Sequence, residues 1–198
     1  PPGSHRAEFL LAHGFVDAVV PRQHQRSAIG LTLDCLGSRI ERHRRAKQAS
    51  GPLEGIEPWD AVQIARDPNR PTSLHYVEAV TDIWLELHGD RSGTDDRAVI
   101  AGIGQIEGQP IAIIGFERGG DQDPVDRRGG RPMPGGYRKA QRIMRMASRF
   151  NIPLVSFVDT PGAWPGLESE EQGLAFEIAT TMTAMIRVDA PTVAVIVG

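Results

Sequence analysis

Two apolar runs, residues 98–106 and 110–116, flank the short stretch Glu107-Gly108-Gln109. So short a connection admits only an antiparallel hairpin, because parallel strands need a crossover of a dozen residues or more. The next apolar run, residues 154–158, follows a helix-period segment over 137–150 that puts Ala140, Ile143, Met144, Ala147 and Phe150 on one side. A second helical segment, from about 170 to 187, leads to a last run at 192–197. Hairpin, helix, strand, helix, strand is an α/β pattern with parallel pairing toward its C-terminal end.

The preceding part reads differently. Residues 7–12 predict a short helix stopped by His13-Gly14, and residues 15–20 a short β run ended by Pro21. Residues 25–45 predict a longer helix with Ile29, Leu33, Leu36 and Ile40 on its apolar stripe. Its basic end, residues 39–47, runs into Gln48-Ala49-Ser50-Gly51-Pro52, which has the composition of a linker. A helix is expected at 59–65, broken by Asp67-Pro68-Asn69-Arg70-Pro71, and another from Ser73 to His88, capped by Thr72 and ended by Gly89.

Several function classes lack their signals. A net charge of −3 gives no overall field for nucleic acid. No apolar run approaches the roughly 20 residues of a membrane span, so a cytoplasmic protein is expected. A single cysteine, Cys35, rules out an intrachain disulfide and a cysteine-rich zinc site. The six histidines all precede residue 89 without clustering and read as surface or cap residues. There is no Gly-x-Ser-x-Gly elbow and no Gly-Lys-Ser/Thr phosphate loop.

What remains is a chemistry of backbone N–H groups at glycine-rich loops. The loop over 117–136 holds six glycines and four arginines, and Gly135-Gly136 lies where the next helix begins. Free N–H groups and the helix dipole there suit an anion or a developing oxyanion. A mobile surface loop is the competing reading. The second loop, Asp159-Thr160-Pro161-Gly162-Ala163-Trp164-Pro165-Gly166, follows a strand and precedes a helix, where ligands gather in open α/β sheets. Asp159 reads as a loop anchor. Trp164 serves either as a ligand platform or as a core residue.

Three stretches carry a family resemblance: Pro134-Gly135-Gly136-Tyr137-Arg138-Lys139-Ala140, Asn151-Ile152-Pro153-Leu154-Val155, and the 159–166 loop with Glu170-Glu171. With Arg66-Asp67-Pro68-Asn69-Arg70-Pro71-Thr72, Glu86-Leu87-His88-Gly89-Asp90-Arg91 and Asp95-Asp96-Arg97-Ala98 they resemble the carboxyltransferase α subunit of bacterial acetyl-CoA carboxylase over about 57–198. The stretches Ala7-Glu8-Phe9-Leu10-Leu11, His13-Gly14-Phe15-Val16-Asp17 and Val20-Pro21-Arg22 resemble the C-terminal end of the β subunit. The chain therefore reads as the junction of a fused β/α carboxyltransferase: a β-type end at 1–47, a linker at 48–56, and an α-type domain at 57–198 truncated at its C-terminus.

The resemblance implies a crotonase-like spiral of ββα units, incomplete here. It implies transfer of a carboxyl group from carboxybiotin, on a biotin carboxyl carrier protein, to acetyl-CoA, giving malonyl-CoA. Biotin carboxylase and a second carboxyltransferase chain in a homo-oligomer are the other implied partners. Zinc is implied only in the N-terminal part of the β subunit, outside this chain, so no metal is expected. The carried-over site residues are Gly135 and Gly136, Gly198 as the start of an oxyanion turn, and Gly162, Ala163, Trp164 and Gly166 on the biotin side. Tyr137, Arg138 and Lys139 at the helix start contact ligand or loop, or serve a structural role. Gly130-Arg131-Pro132-Met133-Pro134 replaces the family's Asn-Phe-Gly-Met-Pro, Gly135 its Glu, and Trp164 its Tyr. These departures leave open a related biotin-dependent carboxylase or decarboxylase of other acyl specificity, or a degenerate half kept as a scaffold. The fragment alone is expected to be inactive.

Overall fold

A computed structural model describes residues 6–37, 56–120 and 126–198. The basic helix end at 39–47, the linker at 48–52 and the boundary at 47/48 lie outside the described residues. The hairpin forms as its spacing requires. Strands β2 (Val99–Ile106) and β3 (Gln109–Phe116) pair antiparallel, closing at Ile106 and Gln109. The turn is two residues, Glu107 and Gly108, both at positive φ. This is the primed geometry that matches strand twist, so Gln109 belongs to the strand rather than the turn.

Helix α5 (Pro134–Phe150) crosses from β3 to β4 (Leu154–Val158), which pairs parallel with β3. The return from β4 to β5 (Thr192–Ile196) uses two helices, α6 (Leu167–Glu171) and α7 (Leu174–Ile186), where one was expected. Gly173 separates them at a φ of 78°, a left-handed conformation that a helix cannot pass through. Helix α5 starts three residues earlier than expected, so Gly135 and Gly136 belong to its first turn. Its buried side carries Ala140, Ile143, Met144 and Ala147, whereas Phe150 is exposed.

The upstream part corrects three expectations. Helix α4 is only Ser73–Val80, and within the remainder of the expected helix Ile83–Glu86 form a strand, β1, paired antiparallel with β2. Residues 15–20 form no strand; they run as turns and irregular chain after α1 (Ala7–Ala12), with Gly14 packed against Gly89. In α2 (Gln25–Leu36) the stripe with Ile29 and Leu33 faces outward. The inward stripe is Ala28, Leu31, Thr32, Cys35 and Leu36, with Cys35 in the core. Helix α3 (Pro58–Arg66) forms where expected.

The sheet order is β1-β2-β3-β4-β5. One core lies between the sheet and α2, α5 and α7, and is built on Val99, Ala101, Ile103, Ala112, Ile114, Ile143 and Met144. The opposite face of the sheet packs Ile100, Ile111, Ile113 and Phe157 on Val77 of α4. Alternate residues of β2 thus serve opposite layers, as the pleat dictates. The parallel strands β4 and β5 deliver their carboxyl ends, leading into Asp159 and Gly198, to the same edge of the molecule, beside the end of β3.

Candidate functional site

A cleft of about 720 Å³ opens at those carboxyl ends. Its walls come from Arg66 of α3, Pro68 and Arg70 of the break after it, Arg118, Gly119 and Gly120 after β3, and Gly129 and Arg131 before α5. Asp159, Thr160, Pro161 and Gly198 complete it. That size falls within the range of small-molecule sites.

The floor is an ion-pair cluster joining segments far apart in sequence. The Asp159 carboxylate is 3% exposed and takes both ends of the Arg70 guanidinium: Nη1 reaches Oδ2 at 3.0 Å and Nη2 bonds Oδ1. Arg70 is fixed further by Nε donating to the Ala65 carbonyl at 2.7 Å, and its guanidinium lies against Gly198. Arg118 Nε stands 3.7 Å from Asp159 Oδ2, and its Nη2 donates to the Arg70 carbonyl at 2.8 Å. Bidentate geometry of this kind sets orientation as well as charge. Behind it, buried Glu117 accepts the N–H of Leu74 in the first turn of α4 at 2.7 Å and that of Gly119 at 2.9 Å. A carboxylate at a helix start is favoured by the dipole, and here it pins the loop that carries Arg118.

The 159–166 loop is tied down as well. The Thr160 hydroxyl donates to the Gly130 carbonyl at 2.5 Å and accepts the Gly162 N–H at 3.0 Å. The Trp164 N–H donates to the Pro132 carbonyl at 3.0 Å. The Trp164 indole is half-buried, with Nε1 donating to Glu168 at 2.6 Å. The two glycine-rich loops therefore meet, at Gly130 and Thr160.

The other residues singled out from the sequence stand elsewhere. Gly135 and Gly136 are buried under the 90–96 loop and do not line the cleft; side chains there would meet Thr94 and Asp96 respectively. Asp96 stands at the start of α5, where Oδ2 accepts the Met133 N–H at 2.7 Å and Oδ1 pairs with Arg128. Arg138 pairs with Asp90 and Glu177. Lys139 is 1% exposed and donates to the Val99 carbonyl at 2.8 Å and to Asp95 at 2.9 Å. Tyr137 is half-buried, and burial pushes its phenol pKa up. Gly162, Ala163 and Gly166 lie along the outer loop.

Burial alone would raise the Asp95 pKa, but His88, Lys139 and the Gly89 N–H outweigh it and hold the carboxyl far below the usual range. Burial would raise Asp90 likewise, and the N–H groups of Thr94 and Ser92, the Thr94 hydroxyl and Arg138 bring it below its ordinary value. The hydrogen bond to Asp95 raises His88 above 6.5. These groups form a charged brace between the 87–96 loop and α5.

The cluster of Arg70, Arg118 and Asp159 was not visible in the sequence. Asp159 and Arg70 are 89 residues apart, and no local pattern links them. Among the described residues no group of three or more His, Cys, Asp or Glu could hold a metal ion, and no helix is long and apolar enough to cross a membrane.

The family model described as acetyl co-enzyme A carboxylase carboxyltransferase-like matches residues 23–198. The carboxyl transferase subunit α of acetyl-coenzyme A carboxylase from Acaryochloris marina is 46% identical over 156 residues, which is 78% of this chain and 48% of the relative. The fused β/α subunits from Salinispora arenicola are 41% identical over a 210-residue alignment, covering all of this chain and 37% of the relative. The chain thus spans about half the length of the α subunits it matches, and less of the fused ones. Among solved structures, a single-chain, multi-domain long-chain acyl-CoA carboxylase superposes over 99% of this chain and 18% of its own, with a TM-score of 0.72 at 19% identity. The fold is the crotonase-like one of such carboxyltransferases.

Proposed function

The chain belongs to the acetyl-CoA carboxylase carboxyltransferase family, and we propose that its cleft forms one side of the site where a carboxyl group passes from carboxybiotin to acetyl-CoA. The observation that carries this reading is the cleft itself, at the carboxyl ends of two parallel strands, in a chain matched by the family model from residue 23 onward. The product is malonyl-CoA. The C–N bond at the carboxylated ureido nitrogen breaks, a C–C bond forms at the thioester's α-carbon, and the α-proton ends on the ureido nitrogen.

The residues present fit such a ligand. Among the described residues the cleft carries four arginines against one carboxylate, and it can receive an anionic group. Gly119, Gly120 and Gly129 keep side chains out of its wall and let a ligand approach the backbone. Carboxybiotin, when bound, supplies the activated carboxyl group. Gly198 and the turn from Thr160 through Gly162, Ala163, Trp164 and Gly166 border the ligand. Gly135, Gly136, Tyr137, Arg138 and Lys139 support the wall from behind, through the brace described above. No titrating nucleophile is needed, because the chemistry is stabilisation of an enolate and of a biotin oxyanion.

A β-type segment at 1–47, a linker at 48–56 and an α-type segment at 57–198 belong to the same proposal. The fused relatives align with the whole chain and the α subunits with only part of it, which supports this division. A biotin carboxyl carrier protein, biotin carboxylase and a second carboxyltransferase chain are the partners the reading requires, in the cytoplasm. The test uses the protein at the full length its gene encodes, with malonyl-CoA and biocytin. Acetyl-CoA should appear only when biocytin is present, and faster than methylmalonyl-CoA is turned over. Acetyl-CoA formation that ignores biocytin would refute the proposal.

A further inference from the structure

Among the described residues the cleft carries more positive charge than carboxylates pair. Asp159 is the one carboxylate lining it among the described residues, and Arg70 occupies both of its oxygens. Arg66 and Arg131 have no carboxylate partner among the described residues. Arg131 makes a single long bond, to the Arg128 carbonyl at 3.4 Å, and its guanidinium lies over Gly129. The stem of Arg118 packs on the neighbouring Gly130, so the two side chains flank the same turn. Arg118 Nε is buried and lacks a hydrogen-bond partner. That Nε is turned toward Asp159 Oδ2 at 3.7 Å, beyond hydrogen-bond length, so Asp159, whose two oxygens Arg70 already occupies, neutralises Arg118 only in part and leaves positive charge at the cleft wall.

We propose that Arg118 and Arg131 form an oxyanion-binding site on the wall of the cleft, taking a carboxylate or phosphate group of the substrate. Asp159 is its positioning residue. By neutralising Arg70 and holding Arg118 Nε within ion-pair range, it sets which guanidinium is left for the ligand. A planar fork of donors matches both anions. The low exposure of Asp159 and Arg118, 3% and 14%, keeps water from screening the pair. This inference rests on the proposed carboxyl transfer and gives that site its ligand chemistry.

The test uses the full-length protein with Arg131→Gln, Arg131→Lys and a control, Arg149→Gln, which lies outside the cleft. KM and kcat are measured with malonyl-CoA and with malonyl-pantetheine, which lacks the phosphates, biocytin being saturating. Loss of one charge-assisted contact should raise KM roughly tenfold to a hundredfold for Arg131→Gln. Arg131→Lys should regain part of it, and Arg149→Gln should match wild type. A rise with both thioesters identifies the anion as the carboxylate. A rise with malonyl-CoA alone identifies it as a phosphate. An unchanged KM with both overturns the proposal. If the wild-type protein transfers no carboxyl group, the proposed function falls by itself. The anion site is then judged by calorimetry with inorganic phosphate and with malonate, and equal binding by wild type and Arg131→Gln overturns it.

Discussion

Replacing Lys139 with Met keeps the buried stem and removes only the ammonium. That ammonium is 1% exposed and bonds the Val99 carbonyl and the Asp95 carboxylate, at 2.8 and 2.9 Å. Breaking a buried pair from one side costs about 3–5 kcal/mol, because the other charge stays behind. Asp95 keeps His88 and the Gly89 N–H and is 17% exposed, which favours the low end, about 3 kcal/mol. Urea unfolding followed by tryptophan fluorescence should therefore show a midpoint lower by roughly 1–2 M. Adding Asp95→Asn should recover about half of the loss, since it removes the stranded charge. The KM for malonyl-CoA should stay unchanged. A loss below about 1 kcal/mol, or a raised KM with normal stability, would refute the bracing role and assign the ammonium to a ligand.

The remaining predictions concern the same scaffold. Asp90 and Asp95 have folded pKa values below the ordinary 3.8, so their stabilisation is present above that pH and is lost as pH falls through the folded values. Stability should drop steeply below about pH 4. His88 is raised above 6.5, so its contribution is full below that pH and fades as pH rises through the folded value; His88→Gln should abolish this decline in urea midpoints. Gly136→Ala should destabilise by about 1–2 kcal/mol, because its Cβ would stand 2.8 Å from Asp96 Oδ2 and Val99 Cγ2. Gly30→Ala, in the open middle of α2, should instead stabilise by up to about 1 kcal/mol; thermal unfolding of the pair gives opposite signs. Glu117→Gln should cost about 1–2 kcal/mol by weakening the charge at the start of α4, read in the same unfolding assay.

The sheet's second half was legible because its signals are local. A short turn between β runs, a helix-period segment and an isolated apolar run each specify one element, and together they force antiparallel then parallel pairing. The first half was less legible because β1 exists through a distant partner. Residues 73–88 read as one helix, and only pairing of Ile83–Glu86 with Gly102–Gln105 makes four of them a strand. Residues 15–20 have β composition but meet no strand; Gly14 and Asp17 instead bind Arg91. In α2 either of two stripes satisfies the helical period, and contact with the sheet selected the one through Cys35.

The site divides the same way. The glycine-rich loops announced themselves by composition, and the structure brings them together at Gly130 and Thr160. The arginines of the cleft were spread over the chain among many others. A pair such as Arg70 and Asp159 becomes a pair only when β4 ends beside the break after α3. Lys139 shows the converse. In sequence it is a cation at a helix start that suits a ligand, the loop or a structural role alike, and the fold turns it inward onto Asp95.

The cleft at the ends of β4 and β5 is the carboxyl-transfer site we propose. Its most direct test is a crystal structure of the full-length protein with biocytin and acetyl-CoA. The ureido ring of biocytin should lie in the cleft between Arg118, Thr160 and Gly198. Biocytin bound elsewhere, with the cleft empty, would contradict the proposal.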